Sequence, residues 1–270
     1  MAETKVASEA TTPVPVQDES LLERFLAETA QAWAIAVKDV RVYYAQPPMI
    51  MFGLLMPFFM FFSFSVGRGL GTETSVARML ALTTFFTASS AGPVILPMER
   101  RTRTIDRMLV APLSLVTMLL AKTLVGAFFG IAVSLVPLLG GLLVFGSKVV
   151  DPLLLTVGLV GGSLAFSALG ILLASFPSDS PGAIMMPSTL LRWPLLFISG
   201  IFVPLAEMSP CSRAASYVSP LTYSQDLLNW AVLGTGVQSL ALDLLALPLS
   251  LAVFLVPAMK LHAISRRLGY

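Results

Sequence analysis

The stretch Glu99-Arg100-Arg101-Thr102-Arg103-Thr104-Ile105-Asp106-Arg107 holds six of the chain's 32 formal charges (17 basic, 15 acidic) in nine residues. It is wedged between long apolar runs, and that placement decides the fold. No charge occurs between Arg41 and Arg68, Arg78 and Glu99, Lys122 and Lys148, or Asp151 and Asp179. Each of these runs exceeds the roughly 18 residues that suggest a bilayer-spanning helix. A charged elbow amid such runs has to sit in water on one face of the membrane, where a soluble partner can pass it force or information.

Composition points the same way. The chain is 56% hydrophobic and 12% charged, about half the charged fraction of an ordinary soluble domain. The net charge of +2 says nothing about nucleic acid, because here the distribution of charge matters and its sum does not. The lone Cys211 excludes an intramolecular disulfide and a cysteine metal cluster. No cleavable signal peptide is visible, and residues 1–20, polar and carrying Pro13 and Pro15, read as a disordered tail.

Working outward from the elbow, the sequence predicts an all-α polytopic membrane protein with six transmembrane helices over residues 47–265. The first apolar run, about Met49 to Val66, follows the helix-breaking Pro47-Pro48. The second covers about Met79 to Met98, the third about Leu115 to Phe145, and the fourth about Leu153 to Phe176. A polar break from Pro177 to Pro181 leads to the fifth, about Ala183 to Val203, and the sixth covers about Leu240 to Met259. An even number of spans puts both termini on one side. That side carries Lys5, Arg24, Lys38 and Arg41, then four arginines of the elbow, then Lys260, Arg266 and Arg267, eleven in all. The opposite loops hold Arg68, Arg78, Lys148 and Arg213. The excess of basic residues predicts cytoplasmic termini and a cytoplasmic elbow in a cell-membrane protein.

Residues 21–46 are too charged to span. Leu22, Leu26, Trp33, Val37, Val40 and Tyr44 nevertheless recur at helical spacing, with Arg24, Glu28, Gln31, Lys38 and Asp39 on the other side. This predicts an amphipathic helix in the cytoplasmic interface; a soluble helix packed on a partner is the alternative. Residues 205–236 form a long connection rich in Tyr217, Leu221, Tyr223, Leu227, Leu228 and Trp230, divided at Pro210 and Pro220. So much apolar surface predicts short re-entrant helices before the last span, with a small extracellular cap as the alternative.

The chemistry is sparse. No glycine-rich loop followed by Lys-Ser or Lys-Thr is present to hold ATP, and no His- or carboxylate-rich cluster lies in the spans to hold a catalytic metal. His262, the single histidine, reads as a solvated interfacial residue beyond the sixth span. Serines and threonines in the spans lack a candidate base and are expected to bond helix carbonyls or neighbouring helices. An intramembrane enzyme is disfavoured. The notable charge within the spans is Arg192, which mid-span would be costly and hence functional; a fifth span that begins near Trp193 would instead leave it at the boundary. Asp243 reads as the outer end of span six. Gly126 and Gly130, and Gly158 and Gly162, mark sites of close helix approach.

The segment from Met98 to Ser114, with Leu109-Val110-Ala111-Pro112-Leu113-Ser114 closing it, resembles the region after the second span in type-2 ABC exporter permeases. There an acidic residue precedes Gly-Thr-Leu-Glu-Arg-Leu-Leu and then Pro-Leu-Ser. Pro194-Leu195-Leu196-Phe197-Ile198-Ser199-Gly200-Ile201-Phe202-Val203-Pro204 is similar to the family's fifth span. Val218-Ser219-Pro220-Leu221-Thr222-Tyr223, ending at Gly234, is similar to its Asn-Pro-Leu-Thr-Tyr stretch. The three agree in order and spacing over nearly all the chain after residue 30. Arg103 stands where the family has Gly, Asp106 where it has Glu, and Asn229 where Arg is common.

The resemblance implies a coupling helix at about 98–112, made by Glu99, Arg100, Arg101, Arg103, Asp106, Arg107, Met108 and Leu109. It also implies assembly with two copies of an ABC ATPase subunit and a second copy of this permease or a close paralogue. ATP-Mg would then reside in the partner, with no cofactor, catalytic residue or metal in this chain. The expected activity is export by the permease subunit of an ATP-driven transporter; a passive channel or membrane scaffold without energy coupling is the alternative. Phe58, Phe59, Phe61, Phe62, Phe85 and Phe86 offer surface for a lipid-like or amphipathic cargo, or are simply packed.

Overall fold

A computed structural model describes residues 21–44, 53, 55–59, 62–63, 72–104, 114–178 and 180–267. Every regular element among them is helical. Helix α1 spans Leu21–Asp39 and passes into a π-helical turn, Val40–Tyr44. Then come α2 (Thr72–Arg101), α3 (Leu115–Leu143), α4 (Pro152–Leu173) and α5 (Pro181–Ile198). A 3₁₀ turn, Leu205–Glu207, precedes α6 (Pro210–Ser216), α7 (Pro220–Leu233) and α8 (Leu240–Arg267).

Among the described residues four helices, α2, α3, α4 and α8, are long and apolar enough to cross a membrane. The first predicted span, about Met49 to Val66, lies largely outside the described residues, although residues 53, 55–59 and 62–63 are described. The fifth exists as α5, but three prolines and Arg192 make its 18 residues less apolar than the other four.

Local chemistry sets the boundaries. Ser114 caps α3 by accepting from the Thr117 amide at 3.0 Å. Asp151 caps α4 by accepting from the amides of Leu153 and Leu154, at 2.9 and 3.0 Å, with Pro152 in the first turn where its missing N–H costs nothing. Gly234 closes α7 in the left-handed conformation, φ 71°, with its amide on the Trp230 carbonyl.

Helix α2 packs on α4, α3, α7 and α5. Leu80, Leu82, Phe85 and Leu96 of α2 are fully buried, and the Phe85 ring meets Phe166 of α4 edge-to-face at 5.1 Å. Thr87 donates to the Gly53 carbonyl at 3.1 Å, where the first apolar run leans on α2. The hydroxyls behave as expected: Ser89 donates to Phe85 O, Ser134 to Gly130 O, and Thr84 meets Ser134 across α2 and α3 at 2.7 Å.

Close approach is concentrated at glycines. A Cβ on Gly130 would stand 2.8 Å from Ala88 Cβ, and one on Gly162 would stand 2.5 Å from Ser224 Oγ of α7. The tightest backbone crossing joins α2 to α4: a Cβ on Gly92 would meet the Gly170 carbonyl at 2.5 Å, and one on Gly170 the Ser89 carbonyl at 2.6 Å. The connection before α8 is helical and breaks at Pro210 and Pro220 as the sequence predicts. Its main helix, α7, buries Leu221, Leu227 and Leu228 fully.

Candidate functional site: the root of the charged elbow

Helix α2 runs without interruption into the elbow and ends at Arg101, so the elbow's first residues inherit the helix's orientation. Glu99 is wholly buried. Its carboxylate is gripped from both sides: Lys38 of α1 donates to one oxygen, and the Lys122 ammonium lies 2.7 Å from the other. Asp39, 1% exposed, completes the set, with Lys38 at 2.9 Å and Lys122 at 2.9 Å. Two cations and two anions thus form a buried knot that fastens the end of α2 to α1 and to the second turn of α3. Their charges cancel, which is what allows them to leave water.

Lys38 is half-buried, and burial alone would lower its pKa. The carboxylates of Glu99 and Asp39 outweigh that and hold it above the ordinary lysine value. Its contribution to stability is therefore fully present below the ordinary value and is lost only in strong alkali, as pH rises through the raised one.

Arg100 turns the other way. Its guanidinium donates to the Phe176 carbonyl at 2.7 Å and more loosely to that of Ser178, closing the C-terminal end of α4. It also reaches Nδ1 of His262 on α8 at 2.9 Å. A guanidinium only donates, so Nδ1 accepts and the imidazole is neutral, its Nε2–H directed at Ile171 O, 3.2 Å away. This corrects the expectation that His262 is solvated: it is buried, because the last helix continues past the predicted end of span six.

Of the residues read as the coupling element, Glu99 and Arg100 are thus committed to the body of the fold. Arg101 and Arg103 are exposed. Asp106, Arg107, Met108 and Leu109 lie outside the described residues. Arg103 has φ 52°, the left-handed region, and is the positive-φ non-glycine residue among those described.

Arg192 stands apart from this site. It is an interior residue of α5 and is not at the helix's start. It is 5% exposed, donates from Nη1 to Ser90 Oγ at 2.7 Å and from Nε to Ser188 O at 3.2 Å. Ser90 is some 16 Å up α2 from Arg101, at 1.5 Å per residue, so the cation sits far from the elbow. Asp243, read as an uninformative outer-end residue, occupies the first turn of α8 and is completely buried.

Sequence reasoning misses three members of the knot. Lys38 and Asp39 fall by spacing on the polar side of α1, yet Lys38 is half-buried against Glu99 and Asp39 faces inward beside Ile35, while Trp33 is 71% exposed. Lys122 was passed over within an apolar run. A lysine two turns inside a span is itself a signal, since long apolar helices hold charge only where a partner waits.

A protein-family model described as an ABC-2 type transporter matches residues 30–233. No curated protein matches the chain.

Proposed function

The chain belongs to the ABC-2 type transporter family, and from that premise we propose that it is the permease subunit of an ATP-driven exporter, coupled to a separate ATPase. It is a multi-pass membrane protein, a membrane component of an ABC transporter and not a catalyst. In the proposed assembly two ATPase copies bind two permease copies, each with six spans and cytoplasmic termini, in the cell membrane. ATP-Mg is bound and hydrolysed by the partner.

The observation that carries this reading is the contrast within the elbow. Glu99 and Arg100 form a root held by buried charge on α1 and α3 and by hydrogen bonds to the Phe176 carbonyl beyond α4 and to His262 of α8, while Arg101 and Arg103 project from it exposed. A lever needs both parts: a tip that a partner can push, and a root that does not yield. A push on the tip is delivered to α2, which packs on α3, α4, α5 and α7, and to α1 at once. Exposed charges set the docking register more than the affinity, which suits a contact made and strained in every ATPase cycle. Helices α6 and α7 act in this scheme as re-entrant segments that shield the outer end.

The test is charge reversal at the tip. Arg101→Glu combined with Arg107→Glu is expected to leave the protein folded in the membrane and to uncouple ATP hydrolysis by the partner from transport in a reconstituted complex. Normal transport by that variant would show that the elbow is not the coupling element.

A further inference from the structure

Between α1 and α3 lies a groove of about 600 Å³ with almost wholly apolar walls. Trp33, Ala36 and Val37 form one wall, Leu124 and Phe128 the other, and Arg41 stands at the rim. Its size is that of a small-molecule site. Trp33, Leu124 and Phe128 are 71%, 60% and 65% exposed, far too much apolar surface for water to cover.

Leu124 and Phe128 continue a stripe of exposed residues, Val116, Leu120, Leu135, Leu139 and Leu143, along α3. In a membrane-spanning helix that stripe faces acyl chains, so the groove opens sideways into the bilayer. Helix α1 enters it obliquely: Ala32 packs near Met118, whereas Tyr43, beyond the helix, packs near Val125 and Phe129. The π-helical turn Val40–Tyr44 brings Arg41 to the rim at that level. Arg41 is exposed, and no carboxylate pairs with it among the described residues. Lys38, one turn earlier, is already engaged by Glu99 and Asp39.

We infer that this groove is a binding site for an anionic phospholipid of the surrounding bilayer, one acyl chain lying between α1 and α3 and the phosphate held by Arg41. The apolar walls select a chain over any polar ligand, and Arg41, with no carboxylate partner among the described residues, selects a net negative headgroup over a zwitterionic one. The guanidinium matches phosphate through paired N–H donors. A lipid seated there wedges α1 against α3 directly beside the knot, so the site links bilayer composition to the root of the elbow. The inference requires the chain to be in a membrane, not that it transports.

Photolabelling tests it without an ATPase or a cargo. The full-length chain is reconstituted in phosphatidylcholine vesicles with a trace of phosphatidylglycerol or of phosphatidylcholine carrying a diazirine in one acyl chain, and labelled residues are mapped after irradiation. Labelling at Trp33, Leu124 and Phe128 is expected to be about fivefold stronger with the anionic probe, the worth of one basic residue near an anionic surface. Leu139, on the same stripe but away from Arg41, is expected to label equally with both. Arg41→Gln should abolish the preference in the groove and leave Leu139 unchanged, which reports an intact fold. Equal labelling of the groove by both probes would overturn the inference, as would a preference that survives Arg41→Gln. Labelling at Leu139 with none in the groove would also overturn it, since protein would then cover the site.

Discussion

Arg103 adopts φ 52° directly beyond the last turn of α2, a conformation that costs a residue with a Cβ about 1–2 kcal/mol and glycine little. Its amide bonds the Arg100 carbonyl at 2.9 Å, so the tight turn is closed despite the strain. The glycine expected here from the resemblance is thus a backbone requirement, and the arginine meets it under strain. Arg103→Gly is expected to be more stable than Arg103→Ala by about 1 kcal/mol, since only the former removes the Cβ; thermal unfolding in detergent measures the difference. If a partner reads the guanidinium, the same glycine variant should still couple less well than wild type, separating stability from docking.

Among elements, the crossing of α2 and α4 has the least room. Gly92 and Gly170 let the two backbones touch, with backbone atoms where a methyl group would go. A neighbouring backbone cannot rotate aside as a side chain can. Gly92→Ala and Gly170→Ala are each expected to lower stability by about 1–3 kcal/mol. Gly140 of α3, with nothing near the place of its Cβ, is the matched control: Gly140→Ala should be neutral or gain up to ~1 kcal/mol from helix propensity. Unfolding midpoints of the three variants would decide it, and equal effects would refute the crossing as the cause. Of the four glycines singled out by their spacing, Gly130, Gly158 and Gly162 sit at contacts. Gly92 and Gly170 have no such spacing partner within their own helices, so only the packed pair reveals them.

At the scale of the molecule, the buried knot joins α1, α2 and α3 by charge. Lys122→Met would leave Asp39 and Glu99 buried with only Lys38 between them, a loss of about 3–5 kcal/mol. Adding Asp39→Asn restores neutrality and should recover much of it, as read from the unfolding of single and double variants. Failure of that rescue would mean that Asp39 and Lys122 are not energetically linked. Helix class and the helical run of α1 are legible because each is written in a local pattern, uncharged runs and a helical repeat; the inward face of α1 is not, since Asp39 and not Trp33 occupies it. Nor is the knot, because its members are separated by 61 and 83 residues and its charges look solvent-bound when read within their own helices. His262 failed for the same reason, its partner Arg100 lying 162 residues away.

Those separations also impose an order on synthesis. Asp39 and Glu99 emerge from the ribosome well before Lys122, and until it arrives the two carboxylates have only Lys38 to share. Neither can leave water on those terms, so α1 has to wait at the membrane surface while α2 inserts. Arrival of the third helix supplies the missing cation, and only then does the N-terminal segment seat. Docking of α1 is therefore a checkpoint in biogenesis, one that a ribosome-bound chain ending before Lys122 cannot pass.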